Sequence, residues 1–453
     1  MKDYRFETTL NKKIFMISGL CDIQVSGNQI MKNTIKYISE SYKVFVFTFL
    51  PEDYSNLERP EFVFSNNVTF YRMPHFLNFF FFLGRKIKNS LGKIKLGSNN
   101  IEYLKTLDVS SSVEYFSDYN ILGRSLYIIF LLFYLPIELL RITFYYLKHK
   151  PDLFYGYEIQ GAILASFLGI LFKKPVVLKF QGTALKLSHL SNLRDKLLHI
   201  DSIFAMTSPC DAIIMDNDGT LGDKVLKALG VDESKVYFWM NGLDVDNLTL
   251  DNDFRPEEFR KNLNLDNKKI ILMVSKLKIW KRVDRGIYCV YKLIKDYKAK
   301  DFILLIVGGG PEEFRLRGLV ESLGISEYVR FLGKQPHRDV KKYYAISDIF
   351  LNLFDISNLG NPIMEALYFG LPIVTINDGS VSELLQDNYN SFLVDKEKIE
   401  SELPERVKLL LEDENLRKKM SNNSRNTFNK KCLPWRERMM LEVNLLQRLL
   451  NRI

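Results

Sequence analysis

The chain is poor in cysteine, histidine and tryptophan, and these scarcities exclude whole classes of protein. Its four cysteines, Cys21, Cys210, Cys289 and Cys432, stand far apart in 453 residues and in no metal spacing. That excludes a disulfide framework or a zinc finger and fits a reduced, cytoplasmic setting. Residues 1–13 are charged and hold no apolar signal core, so no export is expected. Residues 126–147 are apolar but broken by Pro136, Glu138 and Arg141. A spanning helix needs about 20 mainly apolar residues, so a buried or interfacial helix is expected there instead. The run Gly308-Gly309-Gly310-Pro311-Glu312 is not the G-x-G-x-x-G fingerprint, and no dinucleotide is implied. No side chain stands out as a nucleophile.

What is present points to two α/β domains. The length exceeds one ordinary core, and 47% apolar with 26% charged residues is a globular balance. A net charge of +9 suggests anionic partners without naming nucleic acid. Residues 13–17 read as a strand feeding the turn Ser26-Gly27-Asn28, followed by a helical pattern to about Ser39. Further strands are expected at 44–49, 68–73, 153–156 and 175–180, with a helix at 160–172. This alternation predicts a parallel, doubly wound sheet. Ligands of such sheets bind beyond the carboxyl ends of the strands, where Gln181 stands and, one strand earlier, Glu158. Residues 76–95, opening on Phe76 and closing on Lys95, join an aromatic cluster to Arg85, Lys86, Lys88 and Lys93. They suit either an anionic lipid surface or a helix with a Phe core face and a solvated Lys face.

The second half repeats the strand–loop–helix rhythm. A strand at 270–275 runs into Lys276-Leu277-Lys278-Ile279-Trp280-Lys281, and one at 302–307 runs into Gly308-Gly309-Gly310. A strand at 328–333 precedes Lys334-Gln335-Pro336. The stretch 355–375 reads D-I-S-N-L-G-N-P-I-M-E-A-L-Y-F-G-L-P-I-V-T, a polar loop between two short buried strands. Pro362 suits a first helical turn. The N–H groups of that turn make an anion site, and Gly360 lets a backbone approach a ligand closely. Glu365 lies about one turn into the helix. Asn241-Gly242 is a turn signal, residues 244–255 read as a linker, and Trp435, Met439, Leu441, Leu445 and Leu449 suggest a last helix.

The 355–375 stretch resembles the donor-sugar loop of the GT-B glycosyltransferases, specifically the retaining glycosyltransferase family 4. Glu365-Ala366-Leu367 and Gly370-Leu371-Pro372 match the close of that family's Glu-x7-Glu pattern. The resemblance implies a GT-B fold: two Rossmann-like doubly wound domains facing a cleft, with a C-terminal helix crossing back to the first. It implies an acceptor-side domain at 1–245 with an insertion near 75–115, a donor domain at 246–430 and a crossover helix at 431–453. The activity implied is retaining transfer of a sugar from a nucleotide diphosphate sugar to a glycan, lipid-linked or other hydroxyl acceptor. No metal, no other cofactor and no nucleic acid are implied. Lys276 and Lys281 fall where the family holds the donor pyrophosphate, and Gln181 falls where many members carry a His that contacts the transferred sugar. The resemblance gives donor-binding roles to Gly27, Gly308, Gly309, Gln335, Asp355, Ser357, Leu359, Gly360, Asn361 and Glu365. The departing phosphate would serve as base in a same-face attack. The implied location is cytoplasmic, peripheral on the inner face of the membrane.

Two departures leave rivals standing. The family's first Glu falls on Ser357, and Lys276 replaces an Arg, which keeps charge but loses bidentate geometry. Asp355 is the nearest acid that could replace the missing carboxylate, with Asn358 as a neutral partner. With Gln181 unable to titrate near neutrality, a catalytically silent nucleotide-sugar binder is conceivable. Asp216-Asn217-Asp218-Gly219-Thr220 also looks like the nucleophile motif of haloacid-dehalogenase-type phosphatases. That reading lacks the later acidic pair that would hold Mg²⁺.

Overall fold

The computed structural model of the chain describes residues 11–22, 29–49, 66–72 and 121–452. Gly27, residues 76–95 and the expected insertion lie outside the described residues. Two compact units emerge. The first comprises Met1–Asp216, Gly222–Trp239 and Arg436–Ile453; the second comprises Asn217–Leu221 and Met240–Trp435.

The first unit is built on seven parallel strands in the order β3-β2-β1-β4-β5-β6-β7. Their bounds are β1 Lys13–Asp22, β2 Lys43–Phe49, β3 Val68–Arg72, β4 Leu153–Tyr157, β5 Val176–Phe180, β6 Ala212–Asp216 and β7 Val236–Trp239. Continuous apolar runs such as Val-Phe-Val-Phe in β2 suit a sheet buried on both faces. Helix α1 (Gln29–Ser39) carries the chain from β1 outward to β2. Helix α2 (Ile121–His149) precedes β4, α3 (Glu158–Phe172) joins β4 to β5, and α4 (Leu193–Leu198) with α5 (Ile200–Met206) joins β5 to β6. These last steps all travel one way across the sheet. Right-handed crossovers therefore stack α2, α3, α4 and α5 on one face and α1 on the other.

The helix expected at 126–147 is present as α2 and is longer than that segment. It is one helix that runs through Pro136. Proline removes one backbone hydrogen bond, but side chains on both sides of it are anchored. Leu131, Tyr134 and Ile142 are buried, and Tyr146 stacks on Phe172 of α3 at 3.5 Å. Residues Tyr127–His149 are long and apolar enough to cross a membrane by length and composition. Glu138, paired with Arg141 at 2.6 Å, is nonetheless buried within this unit.

The other face of the sheet receives α6 (Trp435–Leu450), whose residues from Arg436 onward count with the first unit. It buries Met439, Leu445 and Leu446, and inserts charge among them. Strand β5 sends Val176, Leu178 and Phe180 into the core beneath α2 and α3. Alternation sends Lys179 the opposite way. Its ammonium meets Glu442 at 2.9 Å and the Thr34 hydroxyl at 3.0 Å. Arg438 bridges Glu442 and Asp216, each at 3.3 Å, and the Tyr155 hydroxyl donates to Glu442. Burial alone would raise the Glu442 carboxyl, but Lys179, Arg438 and Tyr155 more than offset it and hold it below the ordinary range.

The second unit holds six parallel strands in the order β10-β9-β8-β11-β12-β13. They are β8 Lys269–Val274, β9 Phe302–Val307, β10 Val329–Gly333, β11 Ile349–Asn352, β12 Ile373–Ile376 and β13 Ser391–Val394. The chain winds outward from β8 to β10, then returns to β11 beside β8. The boundary falls between Trp239 and Met240 rather than at 245, and residues 244–255 contain a helical turn at Val245–Leu248.

Candidate functional site

In the second unit the winding reverses between β8 and β11, and ligands of such sheets settle at the carboxyl ends beside that reversal. The loops leaving β8 and β9 are knitted together there. Leu277 N–H donates to the Gly309 carbonyl at 3.1 Å, and Glu312 N–H donates to the Leu277 carbonyl at 3.0 Å. Gly308 has φ +138°, and a Cβ there would lie 1.8 Å from the Ser275 carbonyl oxygen. Only glycine fits that crossing. Lys276 is exposed on this edge. Lys281 is held differently, with its ammonium 3.9 Å from the Trp280 ring and 3.6 Å from the Phe354 ring. Such cation–π contacts fix a flexible side chain without neutralising it.

Backbone pairing ties the β11 loop to the same edge, since Asp355 N–H donates to the Trp280 carbonyl at 2.9 Å. The Asp355 side chain is committed to an ion cluster, with Arg285 at 2.7 Å, Arg282 at 3.5 Å and Lys396 at 3.7 Å. Asn358 is fully buried and donates to the Phe354 carbonyl and to Asp378. The carboxylate that meets Ser357 is another one: the Ser357 hydroxyl donates to Asp218 at 3.0 Å. Leu359 N–H donates to the Asp218 carbonyl at 3.0 Å, so it already has a protein acceptor. Asp218 also receives the Thr220 hydroxyl and N–H on its other oxygen. Burial raises the Asp218 carboxyl above its ordinary range, and the hydrogen bonds from Thr220 and Ser357 offset only part of that. Ser357 itself sits at φ +59°, a left-handed conformation uncommon outside glycine. Strain of that kind often collects at functional sites.

Gly360 departs from expectation in its reason. Its φ of −103° is open to any residue, and a Cβ there would meet only the Pro362 ring at 3.6 Å. The fold does not require glycine at this position, so a side chain would crowd only what approaches from outside. Gly360 caps helix α7 (Asn361–Phe369), with Pro362 in its first turn. Pro362 has no N–H and the Ile363 N–H donates to the Gly360 carbonyl at 3.0 Å, which leaves the Asn361 N–H to meet an anion that the helix dipole favours. One turn in, Glu365 is buried beside Tyr344, whose hydroxyl donates to the Pro362 carbonyl at 3.4 Å, with the His337 Nε2 at 3.8 Å. Burial raises the Glu365 carboxyl, opposed by His337 and the Tyr344 hydroxyl.

The structure thus gathers Lys276, Lys281, Gly308, Gly309, Asp355, Ser357, Leu359, Gly360, Asn361 and Glu365 along one edge of the second unit. Gln335 sits on the neighbouring β10 loop and donates to the Leu332 carbonyl at 2.6 Å. Gln181 belongs to the first unit. Its amide donates to the Tyr157 hydroxyl, and its N–H donates to Glu158 at 2.8 Å. Glu158 holds φ +58° at the end of β4, beside that sheet's own reversal between β1 and β4. The residue that sequence reasoning missed is Asp218. Its signal was visible as part of Asp-x-Asp-Gly-Thr, but spacing suggested a partnership with Asp216. That partnership does not form: Asp216 is fully buried and paired with Arg438 in the first unit, away from any phosphate ester in solvent. Among the described residues no group of three His, Cys, Asp or Glu side chains is placed to hold a metal ion.

Residues 254–427 match the family Glycosyl transferases group 1. That group 1 match covers most of the second unit and every loop of its site except Asn217–Leu221. The chain is 30% identical over 160 residues to an N-acetyl-alpha-D-glucosaminyl L-malate synthase of Bacillus anthracis, covering 35% of this chain and 40% of that protein. It is 27% identical over 154 residues to a GDP-mannose-dependent alpha-(1-6)-phosphatidylinositol monomannoside mannosyltransferase of Mycobacterium tuberculosis, covering 31% of this chain and 40% of that one. The matches therefore span about two-fifths of these curated relatives. In fold, the chain is similar to Anabaena Alr3699/HepE, solved in complex with UDP. The TM-score is 0.65 at 15% identity, covering 96% of this chain and 99% of that one. Two parallel, Rossmann-like sheets of this kind make the fold GT-B.

Proposed function

We propose that the chain transfers a sugar from a nucleoside diphosphate sugar to a hydroxyl acceptor, with retention at the anomeric carbon. One observation carries this reading: two cations, a helix N-terminus and a buried carboxylate converge on one sheet edge that matches group 1 glycosyltransferases. Lys276 and Lys281 take the pyrophosphate and stabilise the charge that grows as it departs. Glu365 accepts the ribose hydroxyls. The first turn of α7 faces the sugar or phosphate oxygens, with Gly360 keeping that approach open. The departing phosphate acts as base for same-face attack, so the protein need not supply a nucleophile. Transfer proceeds without a metal, because cations and N–H groups already stabilise the leaving group. By analogy with the phosphatidylinositol-modifying relative, the acceptor is lipid-linked, and the enzyme works from the cytoplasmic side of a membrane.

Screening nucleoside diphosphate sugars by thermal shift tests donor binding, since a ligand selective for the folded state raises the melting temperature. Release of nucleoside diphosphate in the presence of lipid-linked acceptors then tests turnover. Survival of turnover in EDTA is expected, and loss restored by Mg²⁺ would refute the metal-free mechanism. A second reading, donor binding without transfer, draws on Ser357 at the place of the family's first Glu. A melting shift with no product from any acceptor would favour it.

A further inference from the structure

The helix layer of the first unit turns an unusual amount of apolar surface outward. Among the described residues, fourteen of the 21 large apolar side chains that stand exposed fall between Ile129 and Phe204. Helix α2 packs Ile142, Leu135 and Leu139 on the sheet's core while its opposite stripe shows Leu132, Phe133, Leu140, Phe144 and Leu147. Leu140 is 72% exposed and Leu132 68%. Neighbouring α3 adds Phe167, Ile170 and Leu171, and the Phe167 ring lies 6.3 Å from that of Phe204 on α5. Leu193 and Leu197 of α4 continue the surface. Helices α2, α3 and α5 share one core on one side of the sheet and α4 adjoins α5, so their outward faces form a single layer.

Cations border this layer. Lys148, Lys150 and Lys173 stand exposed where α2 and α3 end, at the amino edge of the sheet. Lys186, Arg194 and Lys196 stand exposed after β5, at the carboxyl edge. Within residues 121–206 basic side chains outnumber acidic ones two to one. A second copy of the same face would bring these like charges together. A bilayer carrying anionic headgroups accepts both the apolar belt and its cationic rims. A spanning role for α2 conflicts with its packing, because Glu138 is buried and Tyr146 and Ile142 are locked into the sheet's core.

We propose that this helix layer docks flat on an anionic lipid surface. The docking face is formed by α2 to α5 and needs no contribution from residues 76–95. It extends the lipid-acceptor reading, but its test reads no turnover, so either can fail without the other. The full chain is mixed with vesicles of phosphatidylcholine, alone or with phosphatidylglycerol, at low and high salt. Cosedimentation is expected only with phosphatidylglycerol and should weaken with salt. Combined Leu132→Gln, Leu140→Gln and Phe144→Gln should lower vesicle affinity at least tenfold. Lys173→Glu with Arg194→Glu should lower it by roughly tenfold or more. Melting temperature and gel-filtration mass should stay those of the native chain in both variants. The proposal is overturned if the native chain ignores phosphatidylglycerol, or if both variants bind like it, which would move docking to residues 76–95. Loss of a dimer in the apolar variant would assign the face to a second copy instead. Loss of melting temperature there would mean that the chain itself covers the face, and resistance to alkaline extraction would mean that α2 spans. Each of these outcomes also overturns it.

Discussion

The two units share a parallel sheet architecture but distribute charge and grease in opposite ways. The second unit buries apolar clusters on both sheet faces and keeps Lys276 and Lys281 on its open edge. The first buries Lys179, Glu442, Arg438 and Asp216 together and exposes the apolar layer of α2 to α5. Only six exposed large apolar side chains belong to the second unit, from Ile279 to Leu409. They are scattered, as on any soluble surface. One unit is organised around a small anionic ligand, the other around a C-terminal helix held by ion pairs and an outward apolar face.

The largest expected effect breaks the first unit. Lys179→Ala leaves Glu442 buried beside a lost partner, and breaking a buried pair in this way costs about 3–5 kcal/mol. Denaturant unfolding should show that loss. Lys179→Met with Glu442→Leu should recover most of it, and an equal loss in the double variant would mean the network contributes packing rather than charge pairing.

Next in size is the donor edge. Lys281→Ala should weaken donor binding by about 1.5–3 kcal/mol, roughly 10- to 150-fold, through loss of one charge-assisted contact. Melting temperature should change little, since the side chain rests on Trp280 and Phe354 without filling a core. Calorimetric titration showing unchanged affinity would remove Lys281 from the phosphate site. Gly360→Val should fold normally and lose donor affinity, because its Cβ meets only Pro362.

A smaller effect separates two acids. Asp218→Asn should lower kcat/KM by roughly tenfold, about the worth of one hydrogen bond to a charged group. Asp355→Ala should chiefly cost stability, because the buried Arg285 loses its carboxylate partner while Arg282 keeps Asp284. The reverse pattern would restore Asp355 as the acid that replaces the family's first Glu.

The smallest effect is a pH dependence. Glu442 sits below its ordinary range when folded, so its contribution is present above the unfolded value and lost as pH falls through the folded one. Native chain should therefore lose stability below the ordinary carboxylate range more steeply than the Lys179→Met, Glu442→Leu double variant. Coincident acid profiles would show that the network does not drive acid unfolding.

The second unit was the more legible of the two in sequence because its site is local. Lys276, Gly308, Gln335 and Glu365 each follow directly on a strand or open a helix, so one short window holds both the residue and the element that places it. What stayed hidden is long-range. Asp218 meets Ser357 across 139 residues, and Lys179 meets Glu442 across 263. No spacing rule connects such pairs, and Asp218 was misread through its neighbour Asp216 for that reason. Asp355 looked available because its arginine partners, Arg282 and Arg285, lie on a different loop and helix. Helix α2 was expected as a helix, but its full length was hidden, since packing that carries it past Pro136 comes from β2, β3 and α3. Its two apolar stripes look alike as letters; only burial tells Leu131 from Leu132.

Lys281 resting between two rings has an optical consequence. The chain holds three tryptophans, Trp239, Trp280 and Trp435, and Trp280 has an ammonium 3.9 Å from its ring centre. An anion that draws Lys281 away changes the field at that indole, and hence its emission. With Trp239→Phe and Trp435→Phe in place, Trp280 becomes a built-in gauge of occupancy, readable in unlabelled protein at the moment a phosphate arrives.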